Sequence, residues 1–176
     1  MRKVYYWPSA GKKRFHHQLG VCAQLISENK NYKKIPIALL TTWVMPALRA
    51  RQVGFFFNEF NVPVGYIIWA MLSDDKGIEL AMRQTRILLE HEWNCGKKLW
   101  IMDLVTVRPW IRPILQYAAN DMFRRYEYAY YVKRYPTGAA KNIVSWARTA
   151  DGRLRIRVNQ ITKSSSVLPG FAWDSW

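Results

Sequence analysis

The sequence predicts a single α+β domain, a mixed central sheet flanked by helices. Three observations carry that prediction. The chain has 176 residues, 50% of them apolar, which is enough for one well-buried core. Segments with helical spacing alternate with short aromatic and β-branched runs. No repeat, Gly-rich nucleotide loop or linker divides the chain.

Met1 to Arg14 mixes aromatic and basic residues and closes with Gly11-Lys12-Lys13-Arg14. It reads as an N-terminal arm over residues 1–14, mobile or docked on a partner and outside the core. The domain itself is expected over residues 15–163. From Phe15 to Ser27, the residues Leu19, Cys22, Ala23 and Ile26 share one helical face. A polar connector, Glu28 to Lys34, follows. Pro36 marks the start of a second helix whose stripe of Ile37, Leu40, Val44 and Leu48 runs towards Arg51.

Gln52 to Glu59 and Val62 to Leu72 are aromatic and β-branched, and the turn-prone Asn58-Glu59-Phe60-Asn61 joins them into a hairpin. Pro63 belongs at a strand start or edge. Ser73 to Gly77 reads as a turn, and Ile78 to Glu92 as a helix through Leu80, Ile87 and Leu88. Leu99 to Val107 is an apolar strand, followed by a helix from Pro109 to Tyr126 in which Pro113 is a candidate kink. Tyr128 to Arg134, Lys141 to Arg148 and Arg153 to Val158 read as strands, the last two joined by the Asp151-Gly152 hairpin signal. Residues 164–176 form a tail without periodicity.

Lysine plus arginine number 27 against 12 acidic residues, a formal charge of +15. An anionic partner is therefore expected: nucleic acid, an anionic membrane surface or an acidic protein. No apolar run reaches the roughly 18 residues that span a bilayer, and the basic N-terminus lacks the apolar stretch of a signal peptide, so a cytoplasmic location is expected. Cys22 and Cys95 suit neither a disulfide scaffold nor a four-ligand metal site, and both thiols read as reduced. His16, His17 and His91 lack partners at ligand spacing, so no metal is assigned. With 9 Trp and 10 Tyr, some rings are expected to line a pocket or an interface.

One strand position stands out chemically. Leu99-Trp100-Ile101-Met102-Asp103-Leu104-Val105 places a carboxylate among residues that should be buried, where an isolated charge is costly. Asp103 is either an acid or orienting group in a cleft, or a strand-end residue bonded to backbone or to a buried arginine. The preceding turn, Trp93-Asn94-Cys95-Gly96-Lys97-Lys98, offers two lysines to a phosphate or simply to solvent. Arginines and lysines spread over many elements predict a broad basic face, without a zinc-finger, basic-zipper or RNP-like motif to read nucleic acid.

Several strings together resemble the RTX toxin-activating lysine acyltransferases, the haemolysin-activating family. They are Leu19-Gly20, Pro36 through Val44-Met45-Pro46-Ala47-Leu48, Pro63-Val64-Gly65-Tyr66 with Trp69-Ala70-Met71-Leu72-Ser73, and Trp93 to Asp103. Order and spacing agree from about Leu19 to Pro109, and more loosely beyond. The resemblance implies a GNAT-like acyltransferase fold and transfer of a fatty acyl group from acyl carrier protein to a lysine of a protein acceptor such as an RTX-type toxin, with no tightly bound cofactor. It places Asp103 at the catalytic aspartate. The family's partner histidine falls at Tyr32.

A phenol with a pKa of about 10 is a poor base beside an imidazole of about 6.5. Three readings follow. Tyr32 donates to the leaving thiolate or to the tetrahedral oxyanion while Asp103 or water takes the amine proton; the acceptor differs from a toxin lysine; or catalysis has been lost and binding remains. Around Asp103 and Tyr32, Gly96 is expected to allow close backbone approach, Lys97 and Lys98 to meet an anionic group, and Trp69 and Trp100 to wall an acyl channel. Acyl carrier protein is acidic, so the positive charge suits its docking. The alternative function is a basic GNAT-like protein that acts on or binds DNA or tRNA, its affinity falling steeply with salt. A third functional reading is a degenerate acyltransferase that pairs with another protein through its aromatic surface, and the resemblance also implies a homodimer.

Overall fold

The computed structural model describes residues 3–8, 14–30, 32, 36–38, 40–82, 87–134, 140–148 and 154–160. Its seven strands form one sheet in sequence order: β1 (Tyr5–Pro8), β2 (Val53–Phe57), β3 (Pro63–Leu72), β4 (Lys98–Thr106), β5 (Tyr128–Arg134), β6 (Ala140–Arg148) and β7 (Leu154–Gln160). Every neighbouring pair is antiparallel except β4 and β5, which run parallel. A parallel neighbour requires a crossover, and α4 (Ile111–Tyr117) supplies it. The mixed sheet flanked by helices is the α+β arrangement the sequence predicts.

Both faces of the central strands are covered, which is why β2 and the middle of β3 are continuous apolar runs rather than alternating ones. On one face α1 (Phe15–Glu28), α2 (Met45–Arg49) and α3 (Asp74–Met82) pack Cys22, Leu25, Ala47, Leu48 and Leu80 onto Tyr66, Ile68, Ala70 and Leu72 of β3 and Trp100 of β4. On the other, Ile114 and Ala118 pack with Phe56, Ile67, Leu99 and Ala129. The Asn58–Asn61 turn forms as expected: the Asn58 side-chain oxygen accepts from the backbone N–H groups of Phe60 (3.0 Å) and Val62 (2.9 Å).

Four sequence-based expectations are corrected. Part of the presumed arm is a strand: β1 pairs with β2, and Tyr6 and Trp7 set their rings against Phe56 and Phe57 at 5.8 and 4.8 Å between centroids. The helix expected from Pro36 is a π turn over Leu40–Val44 that leads into α2. Pro46 has no N–H to return to the Thr42 carbonyl and sits in the first turn of α2, where no intrahelical N–H bond is required of it. Helix α3 begins at Asp74, earlier than periodicity indicates, because the Ser73 hydroxyl accepts from the Lys76 N–H (3.3 Å) and Asp74 and Asp75 sit favourably in its first turn. Pro113 lies in the first turn of α4, where no intrahelical N–H bond is lost, so the helix needs no kink there; it ends instead in a π turn, Ala118–Met122. The Asp151-Gly152 hairpin signal and the tail 164–176 lie outside the described residues. No helix among the described residues is long and apolar enough to cross a membrane.

Gly77 shows how tightly α3 sits on the sheet. A Cβ there would enter the indole of Trp100, whose ring stacks on Tyr130 at 5.2 Å. Alanine normally improves a helix by about 1 kcal/mol over glycine. Here the clash dominates, and Gly77→Ala is expected to lower stability by about 1–3 kcal/mol in urea unfolding.

Candidate active site

Asp103 reaches its position through an irregularity in the sheet. Ile68 pairs with Asp103, but the next residue of β3, Trp69, pairs with Ile101, so Met102 is an extra residue in β4. Such a bulge interrupts the two-residue alternation of side chains. Trp100 and Met102 face the α1 side, and beyond the bulge Asp103 and Val105 face it too, while Leu99, Ile101 and Leu104 pack on the α4 side. In a regular strand Asp103 would share the face of Leu99 and Ile101 instead.

The carboxylate is buried, 5% exposed, and is compensated by two phenols. Tyr66, fully buried on β3, donates its hydroxyl to Asp103 Oδ2 at 3.1 Å. Tyr32 donates to Oδ1. It comes from the connector after α1, where the chain leaves the helix extended at Asn29 and turns so that the Tyr32 N–H meets the Asn29 carbonyl (2.9 Å). Burial, and then the Asp103 charge, push the Tyr66 phenol well above its ordinary pKa and push the Cys22 thiol up as well. Both groups are therefore neutral at physiological pH.

A cavity of about 400 Å3 opens onto this trio. Tyr32, Asp103 and Tyr66 bring polar groups to its lining, which is otherwise mostly apolar, with Ile26 of α1 and Leu40 and Trp43 of the π turn among its walls. Tyr32 and Trp43 stand 6.2 Å apart between ring centroids. Of the residues anticipated from sequence, the structure brings Asp103 and Tyr32 together and places the others elsewhere. Trp69 is on the α4 face, edge-on to Phe123 at 5.4 Å, because it alternates with Ile68 on β3. Trp100 is on the Asp103 face but buried between Gly77 and Tyr130, so it does not wall the cavity. Gly96 does allow close backbone approach, but to its own chain: a Cβ would strike the Leu72–Ser73 backbone, and its N–H donates to the Met71 carbonyl (3.0 Å). Lys97 is exposed on a different cavity, and Lys98 faces Asp74 at 3.8 Å.

Sequence reading missed Tyr66, Cys22 and the aliphatic walls of the cavity. Tyr66 carried a signal, since it lies two residues from Ile68 on one face of a strand. The bulge that turns Asp103 towards it carries none, having no glycine or proline. Among the described residues no group of three His, Cys, Asp or Glu side chains gathers as a metal site would need.

The profile of the RTX toxin acyltransferase family matches residues 12–150. The protein-lysine myristoyltransferase HlyC of Escherichia coli is 30% identical over 95 residues, covering 54% of this chain and 50% of that protein. The protein-lysine palmitoyltransferase CyaC of Bordetella bronchiseptica is 30% identical over 95 residues, 54% of this chain and 47% of that protein. The chain spans about half the length of these curated relatives. A solved GNAT-family acetyltransferase from Listeria monocytogenes 4b F2365 superposes with a TM-score of 0.48 at 9% identity, over 88% of this chain and 94% of that one.

The raised Tyr66 pKa sets the sign of a stability change. Its proton is held more tightly in the folded protein than in the unfolded chain, so its contribution is complete below about pH 10 and is lost as pH rises towards the folded value. Tyr66→Phe is expected to lower stability at pH 7 by about 1–3 kcal/mol, by leaving Asp103 Oδ2 without its donor, and to flatten the decline above pH 10. Denaturant unfolding at pH 7 and across pH 9–11 measures both. Iodoacetamide at pH 8 is expected to label Cys95, which is exposed, and to spare the buried Cys22 until the protein is unfolded, as read by peptide mass.

Proposed function

This chain belongs to the RTX toxin acyltransferase family, and from that premise and the geometry above we propose that it moves a fatty acyl group from an acyl carrier protein thioester to a lysine amine of a protein acceptor of the RTX-toxin type. The observation that carries this reading is the cavity, whose mostly apolar lining includes the Tyr32–Asp103–Tyr66 trio. That lining suits a ligand with an alkyl body and a reactive polar head. Relatives named as myristoyl- and palmitoyltransferases support a long chain. The charge of +15 suits an acidic carrier. β4 pairs with β5 only at Leu99–Ile101, so beyond Ile101 this part of the sheet offers a route for the thioester arm.

The chemistry requires one proton to travel from nitrogen to sulfur. A neutral lysine amine attacks the thioester carbonyl, forming the C–N bond. Tyr32 points its hydroxyl hydrogen at Asp103 Oδ1, so a lone pair of its oxygen is free to accept a proton. As the amine loses a proton to Tyr32, the Tyr32 proton passes to Asp103 Oδ1. The tetrahedral adduct then collapses, the C–S bond breaks, and the proton returns through Tyr32 to the departing thiolate. Tyr32 is a relay and Asp103 the base, which avoids asking a phenol to act as a base alone. Tyr66, donating to Oδ2, is a positioning residue that holds the carboxylate towards Tyr32.

Intact-mass analysis of an acceptor co-expressed with the protein and an acyl carrier protein tests the proposal. The acceptor is expected to gain the mass of a fatty acyl chain. Asp103→Asn and Tyr32→Phe are each expected to slow transfer by about 10²–10⁴-fold. Tyr32→His is expected to keep transfer and to give a pH–rate profile rising near 6.5. Unchanged acylation with Asp103→Asn would overturn the assignment.

A further inference from the structure

A second cavity, of about 510 Å3, involves Trp69 and Met71, which pack on the sheet face away from Asp103. Arg51, Lys97 and Arg125 converge on it, together with Tyr126, and no carboxylate is among its walls. Arg125 stacks over the Tyr126 ring at 5.0 Å and donates to its hydroxyl at 2.9 Å. Among the described residues, Arg51 and Lys97 make no ion pair. Three cations gathered without a counter-charge repel one another unless an anion joins them.

Arg51 adds a second and independent sign. It follows α2 with φ of 57°, and its N–H and that of Gln52 donate to the carbonyls of Leu48 (3.1 Å) and Ala47 (2.9 Å). That is a Schellman cap with arginine at the left-handed position, where glycine carries no steric cost. An arginine held there at a cost to stability indicates that its side chain is used. Gln52, beside it, also lines the cavity; its side-chain oxygen is buried and has no hydrogen-bond partner. A ligand that brings a donor as well as negative charge would satisfy both features.

We infer that this cavity binds a phosphate monoester, its oxygens on Arg51, Lys97 and Arg125, a donor of the ester (a sugar hydroxyl or a protonated phosphate oxygen) towards Gln52 and its organic part against Trp69 and Met71. Arginine and lysine meet phosphate through charge-assisted hydrogen bonds. The phosphate arrives either on a small soluble ester or on a lipid headgroup. The site is separate from the proposed acyl transfer and does not depend on it.

Thermal unfolding and binding of the full chain test the inference, at fixed ionic strength, with adenosine monophosphate and with phosphatidate vesicles as probes and phosphatidylcholine vesicles as control. Wild type is expected to be stabilised by at least one phosphate probe. Arg51→Gly is expected to melt a few degrees higher without ligand, because the left-handed strain is gone, and yet to bind that probe about tenfold or more weakly. Lys97→Ala is expected to weaken binding without the gain in stability. A response to the nucleotide assigns a soluble ester, and a response to phosphatidate alone assigns a headgroup. The inference is overturned if neither probe binds wild type, if Arg51→Gly and Lys97→Ala bind as wild type does, or if Arg51→Gly melts lower without ligand.

Discussion

A buried carboxylate has to be compensated where it stands, and the α1 face of the sheet is arranged around that requirement. Asp103 accepts from Tyr66, which the sheet supplies, and from Tyr32, which the connector after α1 supplies. Removing either donor would take away part of that compensation. The Tyr32 bond also ties that residue to the most buried part of the sheet. Structural need and the proposed chemistry coincide: the bond that compensates Oδ1 is also the path along which the proposed transfer would move a proton.

The sheet separates two kinds of surface. Its α1 face holds the acid, the phenols and a mostly apolar cavity within one core. Trp69 and Met71 belong to the α4 face, as does the aromatic packing of Phe123, and there the neighbouring cavity gathers cations. Lys97 follows that second surface rather than the first. Proximity in sequence to Asp103 was therefore a poor guide: the lysine is six residues away along the chain, yet it lines a different cavity.

The strands were legible because their apolar runs are bounded by turn residues and buried on both faces; β2 and β3 fall within the segments read from residue pattern, and β4 is offset from its segment by one residue at each end. Helix boundaries were less legible. Ser73 caps α3 from a stretch rich in turn residues, and Pro46 marks the first turn of a short α2 that follows a π turn, where periodicity alone reads one continuous helix. β1 was hidden because four residues at a sheet edge carry too little pattern to separate them from a basic arm. In the candidate site, Asp103 announced itself by being polar in an apolar strand, and Tyr32 by the family pattern. Tyr66 and Cys22 looked like ordinary core residues.

By itself the sequence determined the α+β class, the cationic character and the presence of one costly carboxylate, since each depends on residue type and local spacing. Tertiary structure decided which groups that carboxylate meets. A single extra residue in β4 chooses the face Asp103 occupies, and the pairing register across β3 and β4, with residues 71 and 37 positions distant in sequence brought to its two oxygens, has no local signature. Side-chain direction in a sheet changes with a one-residue slip, so the chemistry was written in composition while its geometry was settled only by packing.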